Sequence, residues 1–245
     1  MKRVISRWLL GAILICVASV EAPWPQVSAA RAQESSKALP ALASGETLKF
    51  KLLWPSGVAM GEAIMTAAAG QNDLHFEMKI EAKLPVYNIA GSFTSSASRE
   101  GLCSIQYHRK MTEGAKVSEE SIDFDQKNHQ ARRILDGQAA SLPIPQCARD
   151  PLTFLYYYRN QVAAGIPADI GTFFLGPERS IEIKPARQEN ISVKGSQRSA
   201  GKYLVTYRVR NSAKTFELWI SSDARREPVM VRLPSSLAIF SAELE

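Results

Sequence analysis

The sequence predicts a mainly β protein, an antiparallel sheet with one packed and one wet face into which a single helix is inserted. Three observations carry this. Apolar residues recur with period two in several short stretches, turn residues separate those stretches, and one aromatic-rich segment breaks the alternation between helix start and stop signals.

Before the first strand lies an export signal. Lys2, Arg3 and Arg7 form a positive start, and Trp8 to Val20 is an apolar run of 13 residues. The Pro-broken stretch that follows cannot continue a helix. Ala30-Arg31-Ala32 before Gln33 puts small side chains where a signal peptidase needs them, with Val27-Ser28-Ala29 as the weaker cut. The competing reading is an uncleaved anchor, but a spanning helix needs roughly 20 apolar residues. Cys16 follows Ile15 rather than a small residue, which argues against a lipid anchor. The expected organisation is a cleaved secretory signal at 1–32, a flexible Ala/Ser-rich leader at 33–44, and one β-rich domain at 45–245, working in a bacterial periplasm with no transmembrane segment left.

Leu48, Phe50, Leu52 and Trp54 alternate with Thr47, Lys49, Lys51 and Leu53, and Phe76, Met78, Ile80 and Ala82 with Glu77, Lys79, Glu81 and Lys83. Similar stretches run through Ser118–Phe124, Tyr203–Val209, Phe216–Ile220 and Val229–Leu233. Such one-sided alternation over short spacings reads as antiparallel strands. Pro55-Ser56-Gly57, Gly70 to Asp73, Asp136-Gly137 and Gly195 to Gly201 read as turns. Asp150-Pro151 opens the helix as N-cap and first-turn proline, and Gly165 stops it. Leu152, Leu155, Tyr156 and Arg159 share one side, and Phe154, Tyr157 and Tyr158 another, so the helix is enclosed rather than lying on the surface.

The chain resembles a family of bacterial exported proteins, domain of unknown function 3108. The resemblance rests on Gly45-Glu46-Thr47-Leu48-Lys49-Phe50, on Trp54 and Gly61, and on Ile122-Asp123-Phe124-Asp125. It rests also on Asp150-Pro151-Leu152-Thr153 with Tyr157, Tyr158 and Arg159, and on Leu218-Trp219-Ile220-Ser221 with Asp223, Arg226, Pro228 and Val229. Tyr158 departs from the family, which often has an aliphatic residue there. The resemblance implies an envelope location, a curved antiparallel sheet with an inserted helix, and no established reaction. The expected fold is therefore a curved antiparallel sheet or partly open β-barrel, with one inserted α-helix covering the concave side.

Charge narrows the partners. Without residues 1–32 the chain keeps 26 basic against 23 acidic residues, and basic pairs such as Arg132-Arg133 and Arg225-Arg226 read as solvated surface. Nucleic acid loses its main support. Cys103 and Cys147 remain as a pair that an oxidising compartment favours as a disulfide, the other reading being two buried thiols. His75, His108 and His129 lack ligand spacing, so no metal or cofactor is expected. No nucleophile elbow or phosphate loop occurs, which argues against an enzyme. Asp125, Asp150 and Asp223 read as a strand end, a helix cap and a turn.

Two functions stay open. One is a carrier or binding module for a lipid or other apolar ligand between helix and concave face, lined by Phe50, Trp54, Phe76, Met78, Tyr156 and Tyr157. The other is an envelope scaffold or assembly factor with a packed interior and a protein partner. Arg159 is read as a structural ion pair with Asp223 or Glu217 in preference to a ligand contact. The mature N-terminus should be Gln33; the intact mass of protein from a periplasmic extract checks this, and a membrane-bound species that keeps Lys2 would contradict it.

Overall fold

The computed structural model describes residues 45–245 apart from 86, 167–171, 175–178, 194, 210–211 and 235–238. The signal, Cys16 and the leader therefore lie outside the described residues. Eight strands come first: β1 (Glu46–Leu53), β2 (Ala59–Ala69), β3 (Asp73–Lys83), β4 (Asn88–Ser98), β5 (Ser104–Glu113), β6 (Lys116–Asp125), β7 (Gln130–Leu135) and β8 (Gln138–Pro143). Helix α1 (Pro151–Ala163) follows. Six more complete the chain: β9 (Thr172–Phe174), β10 (Arg179–Val193), β11 (Ser196–Val209), β12 (Ser212–Ser221), β13 (Pro228–Pro234) and β14 (Ile239–Leu244).

Each run is a meander, and β14 pairs with β1, so the fourteen strands make one antiparallel sheet. Its order runs from β8 back to β1, then from β14 back to β9. The helix is the piece of chain between the two end strands, and it packs on the concave side of the sheet. Strands β2 and β4 escape the period-two pattern because AMGEAIMTAAA and NIAGSFTSSAS alternate in size more than in polarity. Gly61 in β2 shows why small residues are needed there: a Cβ would collide with the Glu81 carbonyl of β3.

Two expectations are corrected. Ser196 to Gly201 is not a turn but the start of β11; only the hairpin tip turns, with Gly195 at φ +72°. Nor is the second face wet throughout. The last four residues of β12, Leu218 to Ser221, are all buried, on both faces. Val193, Ala200 and Ile191 of the long β10–β11 hairpin pack in one cluster with Trp219 and Met230, and the Trp219 indole N–H donates to Glu189.

The helix begins and ends as its sequence dictates. The Asp150 carboxylate accepts from the Leu152 and Thr153 amides at 2.9 and 3.1 Å. Its other oxygen accepts from the hydroxyls of Ser95 (2.5 Å), Ser104 (2.6 Å) and Thr153 (2.8 Å), which ties the cap to β4 and β5. Burial pushes this carboxyl above its usual range, and the hydroxyl bonds pull against that shift. At the far end Gly165, at φ +69°, lets the Ile166 amide reach the Gln161 carbonyl (3.1 Å) and its own amide reach Val162 (3.2 Å), a Schellman closure. Both sides of the helix are buried, from Leu152 and Phe154 to Arg159 and Gln161.

Cys103 and Cys147 are bonded, with Cα atoms 4.6 Å apart, one residue before Ser104 and three before Asp150. The bond closes a separation of 44 residues, which in the chain-entropy model stabilises by about 4 kcal/mol. Replacing both cysteines by serine should therefore lower the denaturant midpoint, a loss approaching that value, and steepen the slope as the uncrosslinked denatured chain expands; the unreduced wild type should yield neither thiol to alkylation.

Candidate functional site

Cross-strand partners point to the same side of a sheet, so the register arranges the concave face in rows. One row runs Glu46, Ala67, Phe76, Ser95, Tyr107, Ile122 across β1 to β6. All six are buried. This is the row on which the helix rests: Phe76 stacks on Tyr156 with ring centroids 4.5 Å apart, Ser95 holds Asp150, and Glu46 holds Arg159. On the other meander Tyr158 meets Tyr203 edge-on at 5.5 Å.

Farther along the strands the cover ends. The next row is Met65, Met78, Phe93, Arg109 and Glu120, and the one after it is Ala63, Ile80, Gly91, Met111 and Ser118. Here Met78, Ile80, Phe93 and Met111 are only half-buried, as is Leu52 of β1. Met111 lies over Gly91, where a Cβ would sit 2.6 Å from its sulfur. Five of the exposed large apolar residues, Val58, Tyr87, Val117, Leu233 and Ile239, belong to turns and strand ends at this same uncovered end. The concave face thus has a filled floor and an upper half that is buried at Phe50, Ala63 and Met65 but only half-covered along β3 to β5.

The residues proposed from sequence divide accordingly. Phe50, Phe76 and Tyr156 are fully buried parts of the main core; Phe76 and Tyr156 meet in the floor, and Phe50 lies in the row of Ala63 and Ile80. Met78 is in the open half. Trp54 lies just past β1 at the uncovered end, half-buried and edge-on to Phe240 at 4.8 Å. Tyr157 is half-buried beneath the Arg149 guanidinium, 3.6 Å from its ring centroid.

Arg159 has no exposed surface. Its two terminal nitrogens donate to the two Glu46 oxygens at 2.7 and 2.8 Å, and Nε donates to the Arg226 carbonyl at 2.7 Å. A further bond reaches the Arg225 carbonyl at 3.1 Å. The partner is therefore Glu46, not Asp223 or Glu217. Asp223 instead shapes the turn, accepting from Ser221 and the Arg225 amide, and Glu217 pairs with Lys202. Arg225 and Arg226 likewise do more than solvate the surface, since their carbonyls face the buried guanidinium. Burial and the Glu46 charge push the Tyr156 phenol up, so it stays protonated beside the pair.

A group that sequence reasoning passed over sits on the open wall. Glu120 of β6, almost wholly buried, accepts from Arg133 Nε of β7 at 2.6 Å and lies 3.4 Å from Arg109 Nη2 of β5. The signal was present: Glu120 is in phase with Ile122 and Phe124, on the apolar side of its strand. Arg133, expected as solvated surface, faces this wall.

Elsewhere a polar surface cleft of about 700 Å³ lies between the β10–β11 tip, the β12–β13 turn and the start of β1. In it buried Glu227 holds Arg198 (3.1 Å) and Arg225 (2.7 Å). Among the described residues no group of three His, Cys, Asp or Glu side chains could hold a metal ion, and no helix is long and apolar enough to cross a membrane.

Arg159→Met should cost roughly 3–5 kcal/mol, because it strands the Glu46 charge in the core. Adding Glu46→Leu should restore much of that loss. Chemical denaturation of the three variants checks both, and a single variant that melts with the wild type would refute the buried pair.

Among curated proteins none matches the sequence. A Brucella abortus crystal structure described as a β-barrel-like protein of domain of unknown function DUF1849 matches with a TM-score of 0.56 at 7% identity, over 81% of this chain and 94% of that one. A Bacteroides fragilis protein with a YmcC-like fold matches with a TM-score of 0.32 at 7% identity, over 83% of this chain and 94% of that one. The first likeness shows a shared β-barrel-like fold. Residues 47–245 match the family described as protein of unknown function DUF3108, and the chain belongs to that family.

Proposed function

We propose that the domain is a non-catalytic binding module of the bacterial periplasm that holds an apolar chain in the uncovered half of its concave face. The observation that carries this reading is the helix's incomplete cover. Below it the face is packed; beyond it Leu52, Met78, Ile80, Phe93 and Met111 remain half-exposed beside an apolar rim. Contiguous exposed apolar surface costs free energy in water and marks a place where something else is bound. Export is supported by the signal-like start and by the disulfide, which needs an oxidising compartment. A binding role rather than catalysis is supported by the buried acids. Glu46, Asp150 and Glu227 are each engaged by guanidiniums or by hydroxyl and amide donors, as structural carboxylates are.

The rim itself favours a second reading, a scaffold that presents Val58, Tyr87, Val117, Leu233 and Ile239 to a protein partner. An environment-sensitive apolar dye separates the two. It should bind the folded protein saturably, and Phe93→Asp should weaken it at least about tenfold, since one buried aromatic contributes about 1.5–3 kcal/mol. Leu204→Asp on the opposite face should leave binding unchanged, with far-UV circular dichroism showing both variants folded. Absence of saturable binding would leave the scaffold.

A further inference from the structure

The charged group on the open wall sets two guanidiniums against one carboxylate. Glu120 is buried at 1% side-chain exposure, and a carboxylate placed there requires a partner. Arg133 supplies one at 2.6 Å. A second guanidinium, Arg109, is then packed against the same carboxylate at a looser 3.4 Å, with Ser118 Oγ also at 3.4 Å. Arg109 Nε is buried and has no hydrogen-bond partner among the described residues. Two cations thus share one acid on an apolar wall, and both arginines keep about a quarter of their side-chain surface, 26% and 23%.

Arg159 shows what a purely structural arginine looks like in this fold. It has no exposure, both carboxylate oxygens of its partner, and two backbone carbonyls. Arg109 and Arg133 differ: each keeps about a quarter of its side-chain surface, each meets one oxygen of a shared carboxylate, and Arg109 Nε has no partner among the described residues. Cross-strand register sets Phe93 directly beside Arg109, and Arg109 beside Glu120. Apolar surface thus runs without a break into a positive end.

We infer that Arg109 and Arg133 form the head-group site for a single-chain amphiphile with an acidic head, the chain lying over Phe93, Met78 and Ile80. Glu120 orients the two guanidiniums and, by sharing its charge between them, leaves donors for one further anion. Guanidinium forks suit carboxylate and phosphate oxygens alike, so the shared chemistry is an oxyanion at the end of an alkyl chain. This rests on the groove proposed above and adds its selectivity.

The test compares a long-chain fatty acid, its methyl ester, a long-chain alkyl phosphate and inorganic phosphate as competitors of the bound dye. The acid and the alkyl phosphate should displace it at least about tenfold better than the ester, as a charge-assisted bond implies, and inorganic phosphate should not bind. Arg109→Met should erase the preference while leaving ester binding intact, and Arg109→Lys should restore part of it. Equal binding of acid and ester by the wild type would overturn the head-group site and leave the apolar groove standing. Inorganic phosphate binding as tightly as the alkyl phosphate would overturn the amphiphile in favour of a free anion. Failure of every chain-bearing ligand would remove the groove and the site together. The wild-type ratios decide the matter even if an arginine variant does not fold.

Discussion

Everything else in the molecule is arranged around one buried ion pair, Arg159 with Glu46. Such a pair brings little net stability, because desolvating two charges offsets most of their attraction. What it does supply is position. The guanidinium has five donors in a fixed plane, and here they meet a carboxylate at the start of β1 and two carbonyls of the β12–β13 turn. Only one placement of the helix satisfies them all. Arg226 itself sits at φ +47°, a conformation uncommon for a side-chain-bearing residue, with its carbonyl on Arg159 Nε. The N-terminal end is fixed independently, by Asp150 and the adjoining disulfide, to β4 and β5. Two anchors on opposite sides make a 13-residue helix a strut across the sheet.

Length then decides what is left uncovered. Thirteen residues span about 20 Å, enough to cross one end of a sheet of ten- and eleven-residue strands but not to fill its concavity. In the two rows past Phe76 the residues of β1 and β2 are buried, but Met78, Ile80, Phe93 and Met111 of β3 to β5 are only half-buried. The two arginine environments follow the same division: saturated under the helix, partly open beyond it.

Much of this was legible in the sequence, for identifiable reasons. Strands with charged residues on one side and large apolar ones on the other, such as β1 and β3, announce themselves by alternation. The helix does so by an Asp-Pro start and a Gly stop, and the disulfide by the two cysteines that remain once the expected export signal is set aside. The residues that carry the family resemblance, Glu46, Asp150, Arg159 and the Asp223–Arg226 turn, proved to converge on the helix and its anchors. What stayed hidden was spatial. Nothing local to Arg159 distinguishes Glu46, 113 positions away, from nearer acids such as Glu217. Ala- and Ser-rich strands carry no polarity pattern, because their small side chains serve close packing. Glu120 could be seen to share a side with Ile122, but not that two arginines on neighbouring strands would converge on it.

The position of β1 has a kinetic consequence. The first of the described strands to leave the ribosome is an interior strand of the finished sheet, bonded to β2 on one side and to β14 on the other, where Phe50 opposes Leu244. Four of its twelve cross-strand partners, a third, are therefore synthesised last. Contacts so distant in sequence are slow to form, since the loop they close must be ordered first. Until β14 emerges, the chain can zip its early hairpins but cannot join the two meanders. Under the proposed export, that late closure would keep the chain unfolded for passage through a membrane channel, with the last strand completing the sheet afterwards.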